Sequence, residues 1–156
     1  MVYNLHKKEA IPKDIPKEME KKIKEFSKNR NKKEFVKKSF DYLNKKYKID
    51  RVRFVTKLPD INKKDVKYLW NAKGFIYCIS MNYLLRIMLV KSKFFKDSDI
   101  QLKLSNTWHL VPHQYLRIKI SKKEYITVDP WAFQLGIKYG DFAHDFHAGK
   151  VFPKKN

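Results

Sequence analysis

Residues 78–91 are the feature of this sequence that most constrains its fold. The segment carries two charged residues, Arg86 and Lys91, whereas 33% of the whole chain is charged. Its apolar residues recur at the spacing of a helix, at Cys78, Met81, Leu85, Met88 and Leu89. A helix with so little charge has no face suited to water, so other elements have to cover it. We therefore expect a buried central helix here, around which the rest of the chain packs.

The residues before this segment predict more helices. Residues 17–28 and 32–47 each place apolar side chains on one stripe among many Lys and Glu, which is typical of amphipathic helices with a solvated face. Residues 51–56 alternate poorly and predict a short strand or an extended link. Residues 65–71 predict one or two helical turns, and Gly74 is a plausible turn residue after them.

The second half of the chain predicts strands. Residues 100–104 and 113–120 alternate apolar and polar side chains, and residues 125–128 follow a polar turn. After them comes a tail rich in aromatic residues and glycine, which predicts irregular structure wrapped over the sheet. Helices followed by antiparallel strands define an α+β fold, in which the N-terminal helices and the buried central helix pack on an antiparallel β-sheet.

The length and composition favour one domain. A chain of 156 residues with 43% hydrophobic and 15% aromatic residues supports a single core. We divide residues 1–156 into an extended lead-in (1–15), a helical N-terminal part (16–64), a core part (65–131) that contains the central helix and the strands, and an aromatic-rich C-terminal wrap (132–156).

The formal net charge of +20 leaves two interpretations open. A basic surface attracts nucleic acid or another polyanion, so the chain could be a lysine-rich binding module without catalysis. Alternatively, lysine simply fills the solvated surface. Of the 36 basic residues only five are Arg, and specific phosphate or base recognition favours Arg, which gives weight to the second interpretation.

Few features bear on compartment. The first residues, MVYNLHKK, contain no apolar segment of the kind that a signal peptide has, and the most apolar run, residues 83–90, is interrupted by Arg86 and too short to span a bilayer. We therefore expect no transmembrane segment and a cytoplasmic location. The single cysteine, Cys78, excludes an intramolecular disulfide.

Cys78 is the first candidate for chemistry. A free cysteine on a helix is commonly a small buried apolar residue, and that interpretation has to be weighed first. Its position favours another one, because Cys78 begins the predicted central helix, four residues after Gly74. The positive end of the helix dipole favours a thiolate there, and a thiolate is the nucleophilic form.

His113, which begins a predicted strand, is the candidate general base. It would take the thiol proton and return it to the leaving amine. His109 is a competitor, but Pro112 and the following strand exclude helical geometry between the two, and nearby ligands for zinc are lacking. We expect no metal and no cofactor. His144 and His147 are expected to be surface residues.

Asp129 ends the last predicted strand, in the sequence Val-Asp-Pro. In a triad, this carboxylate would orient the imidazole by accepting its second N–H. Because side chains alternate along a strand, Asp129 lies on the face of His113 only if residues of like parity pair across the hairpin. That requires a loop of three or five residues around 121–124.

Together these residues resemble the transglutaminase-like superfamily of papain-like cysteine enzymes. That family has a Cys opening a central helix, a His beginning one strand and an Asp ending the next strand in a Val-Asp-Pro sequence. The counterparts here are Cys78, His113 and Asp129, and the resemblance covers residues 65–131. It implies a papain-like fold and attack on a peptide or glutamine amide through a thioester. Hydrolysis is favoured over amine transfer, since no dedicated acceptor site is visible.

Two positions depart from the family pattern. The family places glycine two residues before the nucleophile, whereas Gly74 stands four before, and Asn82 stands where a small residue is common. The resemblance also suggests an oxyanion hole, with the backbone N–H of Cys78 as one donor and Trp70 or Asn71 as the second. For Trp70, packing in the core is the preferred alternative. The acyl substrate and the oligomeric state stay open.

Overall fold

The computed structural model describes residues 7–149, and this part of the chain folds into six α-helices and a three-stranded antiparallel sheet. The ends of the predicted lead-in and wrap, residues 1–6 and 150–156, lie outside the described residues. The helices are α1 (Lys17–Phe26), α2 (Lys32–Lys46), α3 (Arg51–Thr56), α4 (Val66–Asn71), α5 (Cys78–Lys91) and α6 (Pro130–Phe133). The strands are β1 (Ile100–Thr107), β2 (Val111–Lys119) and β3 (Tyr125–Val128), with 3₁₀ turns at Leu58–Asn62 and Asp97–Asp99.

Helix α5 is the centre of the fold, as its low charge predicts. It has the predicted bounds, Cys78–Lys91, and eleven of its fourteen residues are buried. It packs against α1, α2 and α4 and against strand β2, so that helices and sheet share one core. Within residues 7–149, none of the helices combines the length and apolar composition needed to cross a bilayer.

Arg86 is the one charged residue among the buried positions of α5, and its charge is neutralised locally. Its Nε donates to Asp97 Oδ1 at 2.7 Å, and its Nη2 donates to the backbone carbonyl of Glu9. Burial alone would raise the pKa of Asp97, but hydrogen bonds from Arg86 and Lys8 lower it. The residues before α1 are thereby fastened across the central helix, with Lys91 donating to the carbonyl of Lys13.

The hairpin of β2 and β3 has the predicted parity. Arg117 pairs with Thr127 and Lys119 with Tyr125, so residues of like parity stand opposite each other. Five residues, 120–124, separate the last pair, which agrees with the expected odd-numbered loop. Leu116 and Ile118 face the core, and the alternation places His113 on the opposite side of β2.

Residues 51–56 are a helix, and the predicted strand or extended link is wrong. The side chain of Asp50 caps α3 by accepting the N–H of Arg53 at 3.0 Å. A residue of this type at the N-cap satisfies a donor that the first turn leaves free, and so favours a helix over a strand. The helix is short, and Val52 and Val55 remain largely exposed on it.

The segment after α6 lies over the face of the sheet that α5 does not cover. The rings of Tyr115 and Phe142 stack at 4.1 Å, and Ser105 Oγ donates to the carbonyl of Ala143 at 2.6 Å. The N–H of Asp145 donates to the carbonyl of Asn106. These contacts bury the side of β2 on which His113 stands.

Candidate active site

Cys78 stands at the first position of α5. Gly74, with φ of +84°, turns the chain four residues earlier, and Tyr77 is the extended residue before the helix. Gly74 is therefore a turn residue, as predicted. Because Cys78 lies in the first helical turn, its backbone N–H has no acceptor within the helix. Its side chain is a free thiol that is partly accessible to solvent.

His113 links this thiol to a carboxylate. Its Nε2 lies 2.6 Å from Oδ2 of Asp129, and its ring also forms a side-chain hydrogen bond with Cys78. Since Nε2 faces the carboxylate, Nδ1 is the nitrogen left for the sulfur. His113 is 3% exposed and Asp129 2% exposed, whereas Cys78 is reached from solvent. The structure thus brings the three predicted residues into one hydrogen-bonded chain.

The carboxylate of Asp129 is held by three donors. Oδ1 accepts the N–H of Ala132 at 3.0 Å, which caps α6, and Oδ2 accepts the N–H of Ala143 at 3.0 Å together with His113. Pro130 explains this local structure, because it has no N–H for a ladder and suits the first position of a helix. The Val-Asp-Pro sequence therefore ends β3, starts α6 and fixes the carboxylate toward the imidazole.

The environment of His113 favours its protonated form. Burial alone would lower the pKa of His113, but hydrogen bonds to Asp129 and Cys78, together with their negative charge, raise it to about 10. An imidazolium is thus stable at neutral pH in this site. It lies beside the sulfur of Cys78.

This raised pKa predicts that the protein becomes less stable in alkaline solution. Below pH 6.5, His113 is protonated in the folded and the unfolded state, and its full contribution to stability is present. As the pH rises from 6.5 toward 10, the unfolded chain loses this proton while the folded protein keeps it, so the free energy of unfolding falls. Urea unfolding at pH 6 and pH 9.5 measures the change.

The variant His113→Gln serves as the reference, since the groups that do not interact with His113 titrate alike in the wild type and the variant. We expect the difference in unfolding free energy between wild type and variant to shrink from pH 6 to pH 9.5. A difference that is constant or grows with pH would show that His113 is not protonated preferentially in the folded state.

A cavity of about 340 Å³ opens beside the thiol. We call it the Cys78 cavity: its boundary includes Tyr77, Cys78, Thr107, His113 and Trp131, with further apolar side chains from α3 and from the turn between β1 and β2. The ring of Trp131 packs against the imidazole of His113 with centroids 5.8 Å apart. The indole contributes to keeping water away from the His113–Asp129 hydrogen bond.

The two residues predicted as a second oxyanion donor lie elsewhere. The indole N–H of Trp70 donates to Glu18 at 3.1 Å, and its ring stacks on Tyr42 in the core between α2 and α4. Asn71 is exposed beside Lys67 and Tyr68. Neither side chain lines the Cys78 cavity, so neither is retained as a donor.

The three other histidines among residues 7–149 lie outside the cavity. His147 pairs with Asp141 at 2.7 Å and is half exposed, and His109 and His144 both approach the exposed carboxylate of Asp145. The prediction that His144 and His147 are surface residues is confirmed. Among residues 7–149, no group of three or more His, Cys, Asp and Glu side chains has the arrangement of a metal site.

Sequence reasoning missed the aromatic and apolar lining of the site. Trp131 follows Asp129 by two residues, so the hairpin that located the carboxylate also pointed to this ring. Trp108 stands in the turn before β2, with φ of +47°, and its N–H donates to the carbonyl of Asp145. Phe54 and Leu58 line the cavity from α3 and the following 3₁₀ turn. In the sequence, Phe54 and Leu58 were recognisable only as large apolar residues in a segment that lacks the apolar periodicity of a core helix or strand.

Comparisons of this chain with protein-family models, with curated proteins and with solved structures find no match.

Proposed function

We propose that this protein is a transglutaminase-like cysteine enzyme that cleaves peptide or glutamine amide bonds through a thioester intermediate. The observation that carries the proposal is the hydrogen-bonded chain from Cys78 through His113 to Asp129 at the edge of a cavity. A partly accessible thiol, a buried imidazole and a buried carboxylate in this order are the groups that acyl transfer needs.

In the first half of the reaction, the thiolate of Cys78 attacks the carbonyl carbon of the amide. A carbon–sulfur bond forms, and the carbonyl oxygen takes up negative charge that the backbone N–H of Cys78 stabilises. When the carbon–nitrogen bond breaks, the imidazolium of His113 gives its proton to the leaving amine. The raised pKa of His113 supports this role, because the proton is present at neutral pH.

In the second half, water resolves the thioester. The now neutral His113 removes a proton from the water as its oxygen attacks the acyl carbon, and the carbon–sulfur bond breaks to restore the thiolate and the imidazolium. Asp129 accepts a hydrogen bond from Nε2–H throughout, without taking the proton, and keeps Nδ1 directed at the sulfur. We favour hydrolysis over transfer to an amine, because the sequence gives no sign of a dedicated amine-acceptor site.

The architecture supports a papain-like core. A Cys at the N-terminus of a buried helix and a His and Asp on neighbouring antiparallel strands follow the order of the transglutaminase-like pattern. The two departures leave this geometry intact. Gly74 makes the turn from four residues before Cys78, and the side chain of Asn82 joins α5 to β2 by donating to the carbonyl of Gln114 at 2.7 Å.

Alkylation of Cys78 tests the proposal without a known substrate. An ordinary thiol of pKa about 8.5 is roughly 0.3% thiolate at pH 6, whereas a thiolate stabilised by an imidazolium is present there in quantity. We expect iodoacetamide to modify Cys78 at pH 6 about 10-fold or more faster than it modifies N-acetylcysteine, and the variant His113→Gln to lose this advantage. If the wild type reacts no faster than the free thiol, the assignment of Cys78 as the nucleophile is wrong.

A further inference from the structure

We propose that the Cys78 cavity binds the side chain of the residue whose carbonyl is attacked, and that this side chain is bulky and apolar. The inference rests on the proposed function and narrows it. Of the two substrate classes left open, it selects a peptide amide that follows an apolar residue over the side-chain amide of glutamine.

Apolar side chains make up most of the walls of the cavity. The first wall comes from α3 and the 3₁₀ turn after it, the second from the turn between β1 and β2 and the start of β2, and the residue after Cys78 completes them. The side chains are Phe54, Leu58, Ile61, Ile79, Trp108 and Val111. The binding free energy that such walls contribute grows in proportion to the apolar surface that a substrate covers.

The hydroxyl groups in the lining are already engaged. Tyr77 Oη donates to the carbonyl of Phe54 at 2.6 Å, and Thr107 Oγ1 donates to the carbonyl of Val111 at 3.2 Å. A carboxamide that entered the cavity would lose its hydrogen bonds to water and find no free hydroxyl proton among these residues in exchange. A thioether or phenyl side chain loses no such bonds.

The cavity has room for a large side chain. Its volume of about 340 Å³ is near the lower end of the roughly 300–1,000 Å³ that small-molecule sites span. Part of the lining is also open to solvent: Phe54, Leu58 and Val111 are each about 40% exposed. These exposed apolar side chains lie beside the nucleophile, so a bound acyl group would cover them.

Hydrolysis of N-acetylated methionine, phenylalanine and glutamine 4-nitroanilides tests this inference. Methionine and glutamine have side chains of similar length that are unbranched at Cβ and Cγ, so the pair compares polarity at similar size. We expect kcat/KM for the methionine and phenylalanine substrates to exceed that for glutamine about 100-fold. Release of ammonia from the glutamine substrate is followed alongside release of nitroaniline, so that attack on its side chain is detected.

The outcomes separate this inference from the proposed function. Equal or faster reaction of the glutamine substrate, dependent on Cys78, would overturn the apolar selectivity and leave the cysteine enzyme standing. Failure of all three substrates to react in a Cys78-dependent manner would overturn the proposed function, and the inference would fall with it.

A pair of variants locates the selectivity. Leu58→Glu places a carboxylate in the lining, whereas Leu110→Glu makes the same change of charge at a residue that is 84% exposed and outside the lining. We expect Leu58→Glu to lower kcat/KM for the methionine substrate at least 10-fold and Leu110→Glu to leave it unchanged. The rate at which iodoacetamide alkylates Cys78, measured for both variants, shows whether the thiol itself has changed. Equal activity of the two variants would contradict the assignment of the cavity as the side-chain site.

Discussion

Replacing Cys78 with alanine is expected to lower kcat/KM for the best of the anilide substrates by at least about 10⁴-fold, since removal of a nucleophile eliminates the covalent pathway. The residual rate would come from binding and from the backbone N–H at position 78, which the substitution retains. Steady-state release of nitroaniline measures the effect. Cys78 is partly exposed, so its truncation leaves no large cavity, and any fall in the urea midpoint should be limited to the lost interaction with His113.

The serine variant is the matched control for shape and polarity. Cys78→Ser keeps a hydroxyl at the same position, but serine is a much weaker nucleophile beside an imidazolium than a thiolate is, because its oxygen remains protonated. We expect it to be as inactive as the alanine variant. Turnover by either variant within 10-fold of the wild type would mean that Cys78 is a structural residue of the α5 N-terminus.

Replacing Asp129 with asparagine is expected to lower kcat about 10⁴-fold while KM changes little, as the loss of a triad carboxylate does when the imidazole adopts the wrong tautomer. The carboxylate accepts from His113, Ala132 and Ala143. An asparagine oxygen caps α6 as well as a carboxylate does. Its amide NH₂ group then faces the Nε2–H of His113. Two donors meet there without an acceptor between them.

The same substitution should lower the pKa of His113, because one of the two groups that raise it is removed. On the alkaline side of the pH profile, kcat/KM would begin to fall at a pH below about 10. A merely structural role of Asp129 would not produce this shift. Asp141→Asn is the matched control, since Asp141 pairs with His147 at 2.7 Å on the exposed surface. An Asp129→Asn variant as active as Asp141→Asn would contradict the role of this carboxylate.

The elements that local patterns dictate were predictable from the sequence. Residues 78–91 contain few charged residues, so they predict a helix that other elements must cover. The structure has this buried helix, α5, with the predicted bounds. Alternation along a strand predicts the parity of the β2–β3 hairpin once His113 and Asp129 are required to meet. These are consequences of periodicity, which a single sequence carries in full.

The cavity could not be predicted from the sequence, because it is formed by residues that are far apart in the chain. Helix α3 is capped by Asp50 and has no apolar stripe, so the periodicity of its sequence did not indicate a helix. Its contribution to the wall of the cavity could therefore not be predicted. Trp70 has the sequence position of an oxyanion donor, but Glu18, fifty-two residues away, takes its N–H. Pairings at such separations are not encoded in local spacing. Binding of a polyanion stays a prediction from the net charge of +20.

The central claim is that Cys78 carries the acyl group of the substrate during the reaction. Rapid acid quenching of the wild type with excess N-acetylmethionine 4-nitroanilide, followed by intact-mass and peptide analysis, tests it most directly. The account predicts that part of the protein gains the mass of the acyl group, on the peptide that contains Cys78, and that hydroxylamine releases it as it releases a thioester. Turnover of the substrate without an adduct on Cys78, or with the acyl group on another residue, would contradict the account.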